Sequence, residues 1–306
     1  MISRELIDGQ ESITLNVANN SVAIIKSLGG TVYKLKLRGE DILFSDSEDR
    51  LTENELFRGR LLFPFNDRIP DGKYKYEGQD YQFPINCDNK DSIHGLIYNR
   101  DMIEVYSNDL KNEASVALET IINSTEFPGY PFSIGLKVLY TLTESDFTVL
   151  FEVFNPGEKP SPFALGWHPY FTFGGNIDSS SLTFGSDKYY DVNDDLYYEG
   201  NFFSVKNTDL DFTKGQKIGD RELDIAISLS NRGEFKLENG NKSIYAEFSK
   251  DLFPAIQLFV PEDRLSIAIE PISAPSDTFN YPETGLRIVN PGQRIIGTVN
   301  LELNCN

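Results

Sequence analysis

The chain has 306 residues, with 28 Lys plus Arg against 47 Asp plus Glu and a formal charge of −19. That balance disfavours nucleic-acid binding, which needs clustered cations against phosphate, and docking on an anionic membrane surface. With 40% hydrophobic residues, 22 Phe and 15 Tyr, it can bury a sizeable core, which excludes general disorder. The dominant periodicity is two. In chain order, Ser12–Val17 and Val22–Lys26 read as strands, followed by Thr31–Leu37, where Tyr33, Leu35 and Leu37 share a face. Phe132–Thr141 comes next, then Phe147–Phe154 with Phe147, Val149, Phe151 and Val153 on one side. Glu234–Glu238, Ser243–Ser249, Ala255–Val260 and Leu265–Ile269 follow, and Arg294–Leu303 closes the series with Ile295, Val299, Leu301 and Leu303 together. Turn signals separate them at Asp71-Gly72, Asn155-Pro-Gly157, Asn231-Arg-Gly233, Asn239-Gly240 and Asn290-Pro-Gly292.

No helical periodicity persists beyond two turns, and no repeat of solenoid length is present. No Ser/Gly/Pro-rich linker divides the chain, so residues 1–306 read as one all-β domain, a large antiparallel β-sandwich of two extended sheets. The polar, aromatic and acidic stretch Asp187–Asp211, with Tyr189, Tyr190, Tyr197 and Tyr198, reads as a long surface loop or excursion.

Two cysteines, Cys87 and Cys305, lie far apart without a CxxC partner, which excludes a zinc ribbon, an iron–sulfur cluster and a disulfide framework. The start Met1-Ile-Ser-Arg-Glu-Leu6 lacks the apolar core of a secretory leader, and no apolar run is long enough for a spanning helix. Cytoplasmic residence is the resulting expectation. Only two histidines occur, His94 and His168, so a three-histidine metal site cannot be built.

Those two histidines sit in unusual surroundings. His94 lies in Asp91-Ser-Ile-His-Gly-Leu96, where Gly95 permits an unusual backbone. His168 lies in Phe163-Ala-Leu-Gly-Trp-His-Pro-Tyr-Phe171, among Trp167, Tyr170, Phe171 and Phe173, whose faces suit the CH surfaces of a sugar. Each also has a plain reading, as a hydrogen-bonded histidine at a loop end beside a core aromatic cluster. Glu270 closes Leu265-Ser-Ile-Ala-Ile-Glu270, opposite the apolar face of Leu265, Ile267 and Ile269 and beside the small Ser266 and Ala268, with Pro271 expected to stop the strand. Small neighbours leave room for a ligand, whereas an exposed strand-end glutamate needs none. Arg68 lies in the polar island Asn66-Asp-Arg-Ile-Pro-Asp-Gly72, where a salt bridge to Asp67 or Asp71 is the simplest use for it. Nothing local singles out Asp224 in Glu222-Leu-Asp-Ile-Ala-Ile227. No Walker loop, GxGxxG, HExxH or GxSxG is present.

Taken in order, these segments resemble the aldose 1-epimerase (galactose mutarotase) family over nearly the whole chain. Gly29-Gly30 with Leu35-Lys-Leu-Arg-Gly39 is similar to its opening turn and strand. Gly59-Arg-Leu-Leu-Phe-Pro-Phe-Asn-Asp-Arg-Ile69 and Gly72-Lys-Tyr-Lys-Tyr-Glu-Gly78 resemble the arginine-bearing loop and hairpin. Ile93-His-Gly-Leu96 resembles the first histidine motif, and Asn155-Pro-Gly through Gly166-Trp-His-Pro-Tyr-Phe171 the second. Ile269-Glu-Pro, Pro275-Ser-Asp-Thr-Phe-Asn280 and Asn290-Pro-Gly292 complete the series, with Asp67 standing before Arg68 where the family often has Asn.

The resemblance implies a galactose mutarotase-like fold and cofactor-independent interconversion of the α and β anomers of a free aldose. Glu270 would be the general base, His168 the general acid, and His94 an assistant at the ring oxygen. Arg68, Asp67 and Asp224 would bind sugar hydroxyls. No metal is implied. The expected partner is a small sugar, with no nucleic acid and no membrane, on a monomer or homodimer. A carboxylate and an imidazolium suit the chemistry, and a nearby carboxylate is expected to favour the protonated His168. Three rivals stand beside this reading. One is a hexose-6-phosphate 1-epimerase, whose phosphate would need cations such as Lys188 and Lys206 of the 187–211 stretch. The others are a non-catalytic sugar-binding protein and a glycoside-processing domain.

Overall fold

Alternation is what builds the sheets. In a computed structural model describing residues 1–305, the strand Asp146–Phe154 buries Phe147, Val149, Phe151 and Val153 completely. Each such side chain contributes about 1.5–3 kcal/mol of transfer free energy. This strand lies between Ile134–Thr143 and Arg294–Cys305 in a nine-stranded antiparallel sheet that ends at Ile103–Asp109 on one side and Gln216–Lys217 on the other. Val299, Leu301 and Leu303 point to the same interior. The first part of the chain forms a five-stranded meander: Ile2–Ile7, Gln10–Val17, Asn20–Ile25, Thr31–Leu37 and Glu40–Asp41.

An eight-stranded sheet carries the site. Its order is Tyr198–Ser204, Ser186–Val192, Asp224–Leu229, Ala255–Phe259, Ile267–Ile272, Gly166–Trp167 and Leu61–Leu62, with Tyr170–Phe171 also pairing to Ile267–Ile272. One contiguous core draws on the three large sheets, including Leu15 and Ile24, Val138, Phe151 and Leu301, and Ile227, Ile256 and Ile269. The architecture is the all-β, antiparallel one expected. Helical turns among the described residues are confined to short 3₁₀ segments, and no helix is long and apolar enough to cross a membrane.

Two expectations need correction. Asp187–Asp211 is mostly a β-hairpin, Ser186–Val192 paired with Tyr198–Ser204, that extends the eight-stranded sheet at its edge. An edge strand exposed on both faces shows no apolar alternation: in Tyr198–Ser204 only Tyr198 is buried. Pro271 also does not stop its strand, which runs on to Ile272 with Pro271 opposite Ile256. Ile269 and Ser273 donate their amides to the carbonyls of Pro169 and Leu165. Pro271, midway between them on the same edge, has no N–H to offer there. The ladder is interrupted at that point, and the neighbouring segment departs between Gly166–Trp167 and Tyr170–Phe171.

Candidate active site

Three adjacent strands supply the floor. Ala226 lies opposite Gln257, and Gln257 opposite Glu270, so the three share a face with Asp224 two residues along. Gln257 Nε2 donates to Asp224 Oδ1 at 2.7 Å. Ala226 on the same face lines the cavity above the sheet, while Ile227, Ile256 and Ile269 fill the core below it. Ala268 shares the face of Glu270 but does not line the cavity. Ser266 is fully buried.

His168 occupies the interruption beside Pro271. Its Nδ1 is 3.5 Å from Glu270 Oε1 and has no hydrogen-bond partner. Its ring stacks on Tyr170, with centroids 4.9 Å apart and planes 5° apart. Trp167 and Phe171 are wholly buried core residues, so among the residues flanking His168 only Tyr170 faces the cavity. Phe57, Tyr190 and Phe259 supply the other aromatic walls.

His94 reaches the same place from the other side. Its backbone is itself left-handed, with φ 61°, and Gly95 follows at φ 86°. A Cβ on Gly95 would stand 2.2 Å from the Phe63 carbonyl oxygen, so glycine is required for this close approach. His94 Nδ1 meets the Asn66 carbonyl at 2.9 Å, and the two imidazoles cross edge to face with centroids 5.1 Å apart.

Arg68 completes the set, but not with the partners the sequence offers. Asp67 Oδ1 accepts from the Arg68 backbone amide, and Asp71 pairs with Lys73. The guanidinium instead lies 3.7 Å from Asp91 Oδ2 and donates to Cys87 Sγ at 3.2 Å. Glu270, His168, His94, Arg68, Asp224 and Asp67 all line one cavity of about 280 Å³, near the lower end of small-molecule sites. Sequence reasoning missed Gln257, Ser276, Tyr190, Val192 and Leu196 in its walls. The last three come from the edge hairpin, and only its pairing register brings them in. Lys188 packs over the Phe202 ring and, like Lys206, does not line the cavity.

The electrostatics follow from burial. Burial raises Asp67 to about 6 and Asp224 to about 7, and lowers His94 to about 4. Glu270 is pushed well above the usual carboxylate range by burial and by the charges of Asp67 and Asp224. His168 is pushed well below the usual imidazole range by burial, His94 and Arg58. The site therefore favours a carboxylic acid facing a neutral imidazole. This reverses the expectation of a protonated His168, because desolvation of both partners outweighs their attraction. The pair holds one proton in either arrangement.

The antiparallel sandwich fold belongs to a known structural class. The fold superimposes on a galactose mutarotase-like protein from Clostridium acetobutylicum with TM-score 0.89, covering 100% of this chain and 99% of that one at 21% identity. It also superimposes on galactose 1-epimerase from Lactobacillus acidophilus with TM-score 0.84, over 100% and 98% of the two chains at 19% identity. The aldose 1-epimerase family profile matches residues 11–302, and the chain belongs to that family of carbohydrate epimerases. Among its relatives, the uncharacterized Escherichia coli protein YihR is 27% identical over 84% of this chain and 82% of its own. Human galactose mutarotase is 26% identical over 67% of this chain, a match spanning 61% of the human enzyme.

Proposed function

We propose that this protein interconverts the α and β anomers of a free aldose, with Glu270 and His168 as the acid–base pair. The carrying observation is that pair, 3.5 Å apart and buried in a cavity that also holds His94, Arg68 and Asp224. Glu270 as carboxylate takes the proton of the C1 hydroxyl while His168 as imidazolium protonates the ring oxygen. The C1–O5 bond breaks to give the open aldehyde. Rotation about C1–C2 and closure on the other face, with both protons returned, completes the inversion.

Burial suits this exchange. A carboxylate destabilised by desolvation is a stronger base, and an imidazolium destabilised by desolvation is a stronger acid. The arrangement reached on ring opening, carboxylic acid beside neutral imidazole, is the one burial favours, and its protons are in place for closure. His94 stands at the same ring-oxygen side, while Arg68, Asp67 and Asp224 bind hydroxyls. The route uses proton transfer alone.

A neutral sugar fits the lining better than a phosphorylated one. Arg68 is the single Lys or Arg among the lining residues, against Glu55, Asp67, Asp88, Asp224 and Glu270. The deciding experiment is polarimetry on freshly dissolved α-glucose, α-galactose, xylose, arabinose and glucose 6-phosphate. Accelerated mutarotation of at least one free sugar is expected. Rates equal to buffer for all five would leave a non-catalytic sugar-binding protein on the same fold.

A further inference from the structure

The tip of the edge hairpin is fastened to the rim of the cavity at three points. Tyr197 Oη lies 2.9 Å from both carboxylate oxygens of Asp91. Ser276 Oγ donates to the Leu196 carbonyl at 3.0 Å. Lys90 Nζ pairs with Asp195 at 3.1 Å and lies 5.0 Å from the centre of the Tyr197 ring. These contacts hold Leu196, whose left-handed φ of 62° is unusual for a bulky residue, against the cavity.

Asp91 joins that fastening to the ligand pocket. Its side chain is 4% exposed, so its charge needs compensation inside the fold. Its donors are the Tyr197 hydroxyl and the Asp71 backbone amide at 3.1 Å, and the Arg68 guanidinium stands 3.7 Å away as its ion-pair partner. The carboxylate that anchors the hairpin is thus the one that faces the only Lys or Arg lining the cavity.

We infer that Asp91 and Tyr197 are positioning residues: Tyr197 fixes the Asp91 carboxylate, which aims Arg68 into the cavity and ties its orientation to closure by Leu196. The kinetic consequence rests on the mutarotase reading above, whereas the hairpin fastening does not. Arg68 binds hydroxyls that do not react, so disturbing it weakens the ground and transition states alike and raises KM more than it lowers kcat.

The test pairs kinetics with amide hydrogen exchange over residues 193–199 on the purified chain. Tyr197→Phe removes the hydroxyl but keeps the ring over Lys90. It is expected to speed exchange about tenfold and raise KM about tenfold, with kcat within about threefold of wild type. Asp91→Asn keeps an acceptor for Tyr197 and removes the charge facing Arg68, so KM rises while exchange stays near wild type. Unchanged exchange in Tyr197→Phe overturns the fastening. Faster exchange with unchanged KM, or a fall in kcat alone, overturns the link to Arg68. A wild-type chain inert on every aldose removes the mutarotase reading, and exchange alone then decides whether Tyr197 holds the hairpin.

Discussion

Glu270 and His168 come within 3.5 Å because a proline sits inside a strand. Glu270 precedes Pro271 on Ile267–Ile272, and His168 occupies the neighbouring segment where the ladder lacks the Pro271 donor. Regular pairing continues on either side, through Ser273 to Leu165 and Ile269 to Pro169. The rigid sheet therefore sets both the separation and the burial of the pair.

Glu270→Gln is expected to lower kcat for anomerisation by roughly 10²–10⁴-fold, the usual worth of a positioned base. The amide is nearly isosteric and removes a buried acid, so the melting temperature should hold or rise. Polarimetry alongside a thermal melt checks both. A near-wild-type rate takes Glu270 out of the mechanism.

Asp224 gives a signed pH prediction for stability. Its pKa in the fold is raised from 3.8 to about 7, so the folded state binds more protons than the unfolded one between those values. Stability from this group is full below about pH 3.8 and is lost as pH climbs to 7. Asp224→Asn removes that loss. Relative to wild type, the variant should gain about 1–2 kcal/mol between pH 4.5 and pH 8, after allowance for partial solvent screening. Urea unfolding at the two pH values measures it, and a gap that stays constant refutes the shift.

Gly95→Ala should be destabilising and should displace His94. The new methyl would overlap the Phe63 carbonyl oxygen, and φ 86° is unfavourable for alanine. A cost of about 2–4 kcal/mol is expected from overpacking plus backbone strain. Denaturant unfolding reads the cost. Wild-type stability and rate together would mean the loop bends freely at this point.

Turnover of glucose should exceed that of glucose 6-phosphate and change little with added salt. Arg68 already faces Asp91 and is the single Lys or Arg among the lining residues, so a dianion finds little compensation in the cavity. Rates measured between about 0.01 and 0.5 M salt separate the two substrates, because screening shortens such fields to about 8 Å at physiological ionic strength. A salt-sensitive preference for the phosphate ester reverses the assignment of substrate class.

The amino-acid sequence by itself determined the strands with one buried face and the glycines and prolines that punctuate them. Phe147 to Val153 and Leu35 to Leu37 were legible because burial on one side of a sheet imposes a period of two. The motif residues Glu270, His168, His94 and Arg68 were legible through family resemblance rather than through local physics. The tertiary structure decided the rest. Tyr198–Ser204 lies at a sheet edge with both faces in solvent, so no periodicity announces it, and only its pairing brings Leu196 and Tyr197 to the site. Arg68 exchanges its sequence neighbours for Asp91 and Cys87, which the loop from 86 to 93 brings alongside it. The protonation of His168 was decided the same way: desolvation depends on everything packed around a group, and no stretch of sequence contains it.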